Sequence, residues 1–161
     1  MNTGISTILV DCDGCLTDGK KYVGEDGQRA MIAFHSRDNT AVHRLIDAGY
    51  RVVIVTASYW PGIRKYWGKY NVEVFSTREK ENLPEIDWGS TVGIGDSIAD
   101  IPFLRRCAWA YVPADAHPRL LAEFSSLATR GGAGIMAEVE NRIEALHIGE
   151  GIKYEYNGTA Y

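Results

Sequence analysis

Asp11 and Asp13 stand one residue apart, directly behind the apolar run Ile8-Leu9-Val10, within Asp11-Cys12-Asp13-Gly14. A short buried strand that ends in two acids places charge at a rigid position. The chemistry that uses such a pair is a carboxylate nucleophile, a metal ion, or both. Three further groups match it. A second apolar run ends at Thr56, followed by Ala57 and Ser58; a third ends at Gly95-Asp96-Ser97, with Asp100 one helical turn on; Lys80 lies between them. The set suits phosphoryl transfer. Asp11 is the group to attack phosphorus and form an aspartyl-phosphate. Asp13 is the acid that protonates the leaving oxygen and then the base that activates water. Acids gathered this closely repel one another unless a cation sits among them. Mg²⁺ fits, with oxygen ligands from Asp11, Asp96 and the Asp13 carbonyl, and with waters held by Asp100. Thr56 and Lys80 would hold phosphate oxygens. Amides of the Asp13-Gly14 turn would form a small anion nest, which makes Gly14 a phosphate-binding candidate.

These residues need strands that end on a common edge, and the chain supplies them. Ile5 to Val10 reads as the first strand. Lys20 to Gly24 and Gln28 to His35 read as a hairpin around Glu25-Asp26-Gly27, since Asp-Gly favours a tight turn. Asp38 to Ala48 has helical spacing, stopped by Gly49. Tyr50 to Thr56 is a buried strand, and Pro61 to Tyr70 a helix with proline in its first turn. Val72 to Phe75, Thr91 to Gly95 and Ala108 to Val112 are short strands, with another at Ser126 to Thr129. Helices are expected at Ile98 to Arg105, Pro118 to Phe124 and Ile135 to Leu146, and a weak one at Glu79 to Ile86. Alternating strands and helices give an α/β fold: a three-layer sandwich around a central, mostly parallel, Rossmann-like sheet. Ligands of such sheets sit beyond the carboxyl ends of the strands.

Composition narrows the function further. The chain has 161 residues, 45% of them apolar and 24% charged, as expected of one soluble domain. A formal charge of −4 offers no basic footprint for nucleic acid. The longest apolar stretch, about Val52 to Ala57, is far too short to span a membrane. No basic segment followed by an apolar signal core is present near Met1, so export is not expected. Cys12 and Cys15 are spaced C-x-x-C but lack a second ligand pair for zinc. With Cys107 they read as small apolar fillers in a reducing, cytoplasmic compartment.

In their order and spacing, Asp11-Cys12-Asp13-Gly14, Thr56, Lys80 and Gly95-Asp96-Ser97-Ile98-Ala99-Asp100 resemble the haloacid dehalogenase superfamily. The resemblance covers roughly residues 5 to 147. Within it the chain looks most like the capless branch of 3-deoxy-manno-octulosonate 8-phosphate phosphatases. The features shared with that branch are Leu16-Thr17-Asp18-Gly19, the hairpin, Ala114-Asp115-Ala116-His117-Pro118 and Gly131-Gly132-Ala133-Gly134. The resemblance implies a domain over residues 1–148 with a hairpin flap at about 17–35, no separate cap, and a tail at 149–161. It also implies a Mg²⁺ cofactor, a small phosphorylated metabolite as substrate, and a homotetramer whose hairpins and tails close a neighbour's site. Four departures stand out. Ala57-Ser58 replaces a usual Gly-Arg, Ala137 replaces an arginine, Asn39 replaces a glycine, and Ser97 replaces a second aspartate. The first two remove arginines of the kind that hold a sugar-acid carboxylate. Arg64, Lys65 and Arg130 are the replacements to consider.

Other readings remain open at this point. Gly95-Asp96-Ser97 imitates part of a serine-esterase motif, with His117 as the nearest base. The altered Ser58 and Ala137 positions suit a non-catalytic, regulatory interaction module of sugar metabolism. Lys80 lies in the charge run Arg78-Glu79-Lys80-Glu81, for which a solvated face is the lesser reading. Tyr59, Trp60, Tyr66, Trp67 and Tyr70 form an aromatic set that suits core or subunit interface. His35, His43 and His147 take structural or surface roles.

Overall fold

The computed structural model describes residues 4–149. Six strands form one sheet: β1 (Thr7–Asp11), β4 (Arg51–Thr56), β5 (Glu73–Ser76), β6 (Thr91–Ile94), β7 (Trp109–Val112) and β8 (Ser125–Ser126). Their order is β5-β4-β1-β6-β7-β8, and every pairing is parallel. The central strands are apolar throughout because both faces are covered, as parallel sheets require. Alternation along them divides the core in two. Ile8, Val10, Val52 and Ile54 point to one side, where they pack with Leu45, Trp67 and Val139. Leu9, Val53 and Val55 point to the other, against Phe103, Leu104 and Leu120. The first side is covered by α1 (Ser36–Asp47), α2 (Pro61–Gly68) and α5 (Ile135–Gly149); the second is covered largely by α3 (Ile101–Leu104) and α4 (Pro118–Glu123). This is the three-layer α/β sandwich expected. Among the described residues there is no separate cap domain.

The order of the strands positions the site. From β1 the chain moves outward through β4 to β5, then crosses to β6 and moves outward on the other side. The crossing leaves a crevice at the carboxyl ends of β1 and β6, the switch point where such sheets bind ligands.

Local differences from the sequence reading have physical causes. The hairpin pairs only β2 (Tyr22–Val23) with β3 (Arg29–Met31), and its register slips between Tyr22 and Val23. Both strands stand away from the main sheet, so nothing lengthens the ladder. The expected helix at Glu79 to Ile86 is a single turn over Lys80–Asn82, ending before Pro84, which disfavours helix in the residue preceding it. The helix expected from Ile98 starts as a tight turn over Ile98–Asp100 and continues as α3. The strand expected at Ser126 to Thr129 is β8, shifted toward the N-terminus. Trp67 is fully buried, and Tyr66 stacks on Phe34 with ring centroids 4.6 Å apart, so these members of the aromatic set are core. Residues 150–161 of the expected tail lie outside the described residues.

Candidate active site

Asp11 ends β1, and its side chain is 4% exposed with its backbone. Lys80, expected on sequence grounds to be either a phosphate ligand or a solvated charge, is also buried. Its Nζ lies 2.6 Å from Asp11 Oδ1 and 2.6 Å from Asp100 Oδ1. Burial alone would push the Lys80 ammonium down, but the two carboxylates beside it hold it above its ordinary range. Burial raises Asp11 well above the carboxylate range, Asp100 adds to the rise, and Lys80 offsets part of it.

Asp100, expected to hold metal-bound water, uses both oxygens in contacts within the protein. Oδ1 takes Lys80; Oδ2 accepts the N–H groups of Asp96 and Ser97, both at 3.0 Å, and pairs with Ser97 Oγ at 3.1 Å. Asp100 therefore shapes the turn after β6 and anchors Lys80. The same contacts remove the esterase reading. Ser97 Oγ is turned to Asp100, and His117 Nδ1 accepts the Arg119 N–H at the start of α4.

Asp96 is different. Its Oδ1 is buried without a hydrogen-bond partner among the described residues. One oxygen each of Asp11 and Asp96, together with Cys15 Sγ, lie within 4.8 Å of one another. Burial and then Asp100 push Asp96 up to about 6. Orphaned carboxylate oxygen facing other acids is unfavourable unless a cation joins them. The two carboxylates fit a hard divalent ion. Burial holds the Cys15 thiol well above its ordinary range, so it stands as a neutral neighbour.

Gly14, expected to bind phosphate through its amide, makes a contact within its own loop. Its N–H is directed at Thr17 Oγ1, 3.3 Å away, and Thr17 Oγ1 also accepts from Gly19 N–H at 3.1 Å. The amide is thus engaged within the loop that follows β1. Thr17 is buried and organises that loop. Gly132 N–H donates to Cys15 O at 2.9 Å, and Asp115 Oδ1 receives the Gly131 N–H at 2.9 Å. The glycine-rich segment and the Asp115 segment therefore brace the loop after β1 from outside.

Thr56 ends β4 with its hydroxyl accepting the Ser58 N–H at 3.0 Å, and Ser58 Oγ accepts the Trp60 N–H at 3.2 Å. Ser58 thus shapes the entry to α2. Asp13 is half-buried, and its Oδ1 accepts from Arg29 Nη2 at 3.0 Å. Arg29 escaped the sequence reading, because nothing in the hairpin's composition shows where its strands fold back. Asp38 escaped it too. It is fully buried in α1 and accepts the Met136 N–H at the start of α5, at 2.8 Å. Of the proposed arginine replacements, Arg64 and Lys65 are exposed and Arg130 lies 3.5 Å from Asp115.

No protein-family model matches the chain. Among curated proteins, the 3-deoxy-D-manno-octulosonate 8-phosphate phosphatase of Haemophilus influenzae is 28% identical over 149 residues, covering 86% of this chain and 82% of that protein. The phosphatase of the same name from Escherichia coli K12 is 27% identical over 150 residues, covering 84% and 77%. Among solved structures, the cobalt-bound form of the Haemophilus influenzae phosphatase superposes with a TM-score of 0.82 at 27% identity, covering 89% of each chain. The Moraxella catarrhalis phosphatase, solved with magnesium, phosphate and its sugar acid, has a TM-score of 0.82 at 19% identity, covering 89% and 87%, and speaks for the fold. Fold, motif order and relatives agree: over most of its length the chain is similar to the 3-deoxy-D-manno-octulosonate 8-phosphate phosphatases and shares their α/β fold.

Proposed function

We propose that the chain is a Mg²⁺-dependent phosphomonoesterase that works through an aspartyl-phosphate on Asp11 and acts on a phosphorylated sugar acid such as 3-deoxy-D-manno-octulosonate 8-phosphate. The observation that carries the reading is the buried Asp11–Lys80–Asp100 ion group beside the orphaned oxygen of Asp96. Such an arrangement is unfavourable as mere structure and suits a site built for phosphate and metal.

Asp11 and Asp96 would hold the ion, with the Asp13 carbonyl as a further ligand. The ion supplies charge neutralisation that lets an anionic phosphate approach an anionic nucleophile. Lys80 orients the Asp11 carboxylate and offsets charge growing on the phosphoryl oxygens. The Thr56 hydroxyl, free to donate while it accepts from Ser58, binds one of those oxygens. Asp13 protonates the leaving oxygen, then takes a proton from the water that hydrolyses the acyl-phosphate. The substrate class is that of the relatives just described. The exposed Tyr22, Val23 and Met31 of the hairpin support assembly into a homo-oligomer, a tetramer by analogy. The free thiols of Cys12, Cys15 and Cys107 support a reducing, cytoplasmic setting.

The test is phosphate release from a panel of phosphorylated sugars and sugar acids, with Mg²⁺ and with chelator, for the native chain and Asp11→Asn. Metal-dependent release that Asp11→Asn abolishes, in a protein of unchanged circular dichroism, supports the mechanism. Undiminished turnover in the variant sinks it.

A further inference from the structure

An open cavity of about 710 Å³ lies in front of Asp13, between the hairpin and the segment from Ala57 to Pro61. Its charged lining is one-sided: Lys21, Arg29 and Arg78 face it, against the single carboxylate of Asp13. Neither Arg64, Lys65 nor Arg130 is among its lining residues.

Arg29 is the telling member. Its side chain is only 10% exposed, and Nη2 donates to Asp13 at 3.0 Å. The other terminal nitrogen, Nη1, is buried and has no hydrogen-bond partner among the described residues. A buried cationic donor left unpaired is unfavourable, and native proteins rarely leave one without a function. The guanidinium is a planar fork, so a nitrogen held by Asp13 fixes where its twin points. Arg29 sits on β3, the hairpin strand whose Arg29 pairs with Val23, so the hairpin's own fold carries the fork to Asp13.

We propose that Arg29, with Lys21 and Arg78, forms a subsite that reads a second oxyanion on the substrate, separate from the phosphoryl group that is transferred. The inference rests on the phosphatase reading. Arg29 holds Asp13 with one nitrogen and offers the other to the leaving group. Asp13 serves the leaving oxygen, so the second anion belongs on the leaving-group side. Lys21 and Arg78 add charge around it as flexible partners. The subsite is built from residues of the hairpin and of the turn after β5. The oxyanion is a carboxylate or a second phosphate; the two share this recognition chemistry.

The test compares three compounds on one six-carbon skeleton: gluconate 6-phosphate, glucitol 6-phosphate and glucitol 1,6-bisphosphate, with an aryl phosphate as reference. The full chain is assayed with Mg²⁺, and so are Arg29→Gln, Arg29→Lys and Arg78→Gln. In the native chain an anionic compound is expected to exceed glucitol 6-phosphate in kcat/KM by about tenfold or more, the size of a charged hydrogen bond. Preference for the gluconate assigns a carboxylate; preference for the bisphosphate assigns a phosphate. Arg29→Gln and Arg29→Lys should collapse the ratio. Arg78→Gln alters an exposed side chain that leaves folding intact, and should lower the ratio chiefly through KM. Equal kcat/KM for the anionic and neutral compounds overturns the subsite while leaving the phosphatase reading in place. A native ratio that survives all three substitutions overturns it as well. Absence of metal-dependent release from all four compounds overturns both.

Discussion

Gly14 and Asp96 approach so closely that no side chain fits between them: a Cβ on Gly14 would stand 2.0 Å from Asp96 Oδ2. Gly14 also has a φ of 92°, a left-handed conformation that non-glycine residues adopt only with strain. Gly14→Ala would have to displace the Asp96 carboxylate, which is one of the two that fit a metal ion. We expect the variant to fold, with about 1–2 kcal/mol of destabilisation from the backbone strain. Its thermal midpoint should lose the upward shift that Mg²⁺ gives the native chain through binding to the folded state. A Mg²⁺-dependent shift of native size in Gly14→Ala would show that Asp96 does not need that space.

Lys80 lies between two carboxylates that would otherwise be buried together. Lys80→Met keeps the aliphatic stem and removes the charge. Asp11 and Asp100 then face each other uncompensated, and breaking a buried ion pair in this way costs about 3–5 kcal/mol. The denaturation midpoint should fall accordingly, and added Mg²⁺ should restore part of the loss. Lys80→Met, Asp100→Asn should be more stable than Lys80→Met alone, since the second change removes an orphaned charge. Additive losses in the double variant would contradict the coupling.

Much of this arrangement was legible from residue types and order, and the reason is physical. Asp11, Thr56 and Asp96 each follow a β-branched apolar run, and parallel pairing carries the ends of such runs to one edge. The limits were equally physical. Lys80 sits in a charge run, and only the single turn over Lys80–Asn82 buries it. Asp100, one turn after Asp96, accepts two backbone N–H groups and a lysine, contacts that residue spacing does not encode. Arg29 depends on how a hairpin outside the main sheet folds back, and neither periodicity nor composition encodes that. Asp38 depends on the meeting of α1 and α5, which residues 48–134 separate in the chain.

Gly131 packs against the backbone of the loop after β1. A Cβ there would stand 1.9 Å from the carbonyl oxygen of Gly14 and 3.2 Å from that of Thr17. Both obstacles are backbone, so the loop itself must move. Gly131→Ala should lower kcat for every phosphomonoester alike, because it displaces the loop that carries Asp13 rather than any substrate contact. An effect confined to one substrate class, or to KM alone, would place Gly131 at the substrate instead.

Asp38 makes stability depend on pH. Burial pushes its carboxyl up to about 7, against the opposing pull of the Met136 N–H. The unfolded chain releases that proton at about pH 4. Between the two values the folded state binds more protons than the unfolded state, so stability falls as pH rises. The contribution is complete below about pH 4 and is lost by about pH 7, where a charged carboxylate remains buried with no partner for Oδ2 among the described residues. Asp38→Asn cannot titrate, and its amide oxygen still accepts the Met136 N–H. The variant should match the native chain near pH 4.5 and surpass it increasingly toward pH 8. At about 1.4 kcal/mol per pKa unit the gain reaches a few kcal/mol. Urea midpoints across that range decide the matter: curves that diverge toward high pH support the assignment, and curves that run parallel show that Asp38 titrates as it does in the unfolded chain.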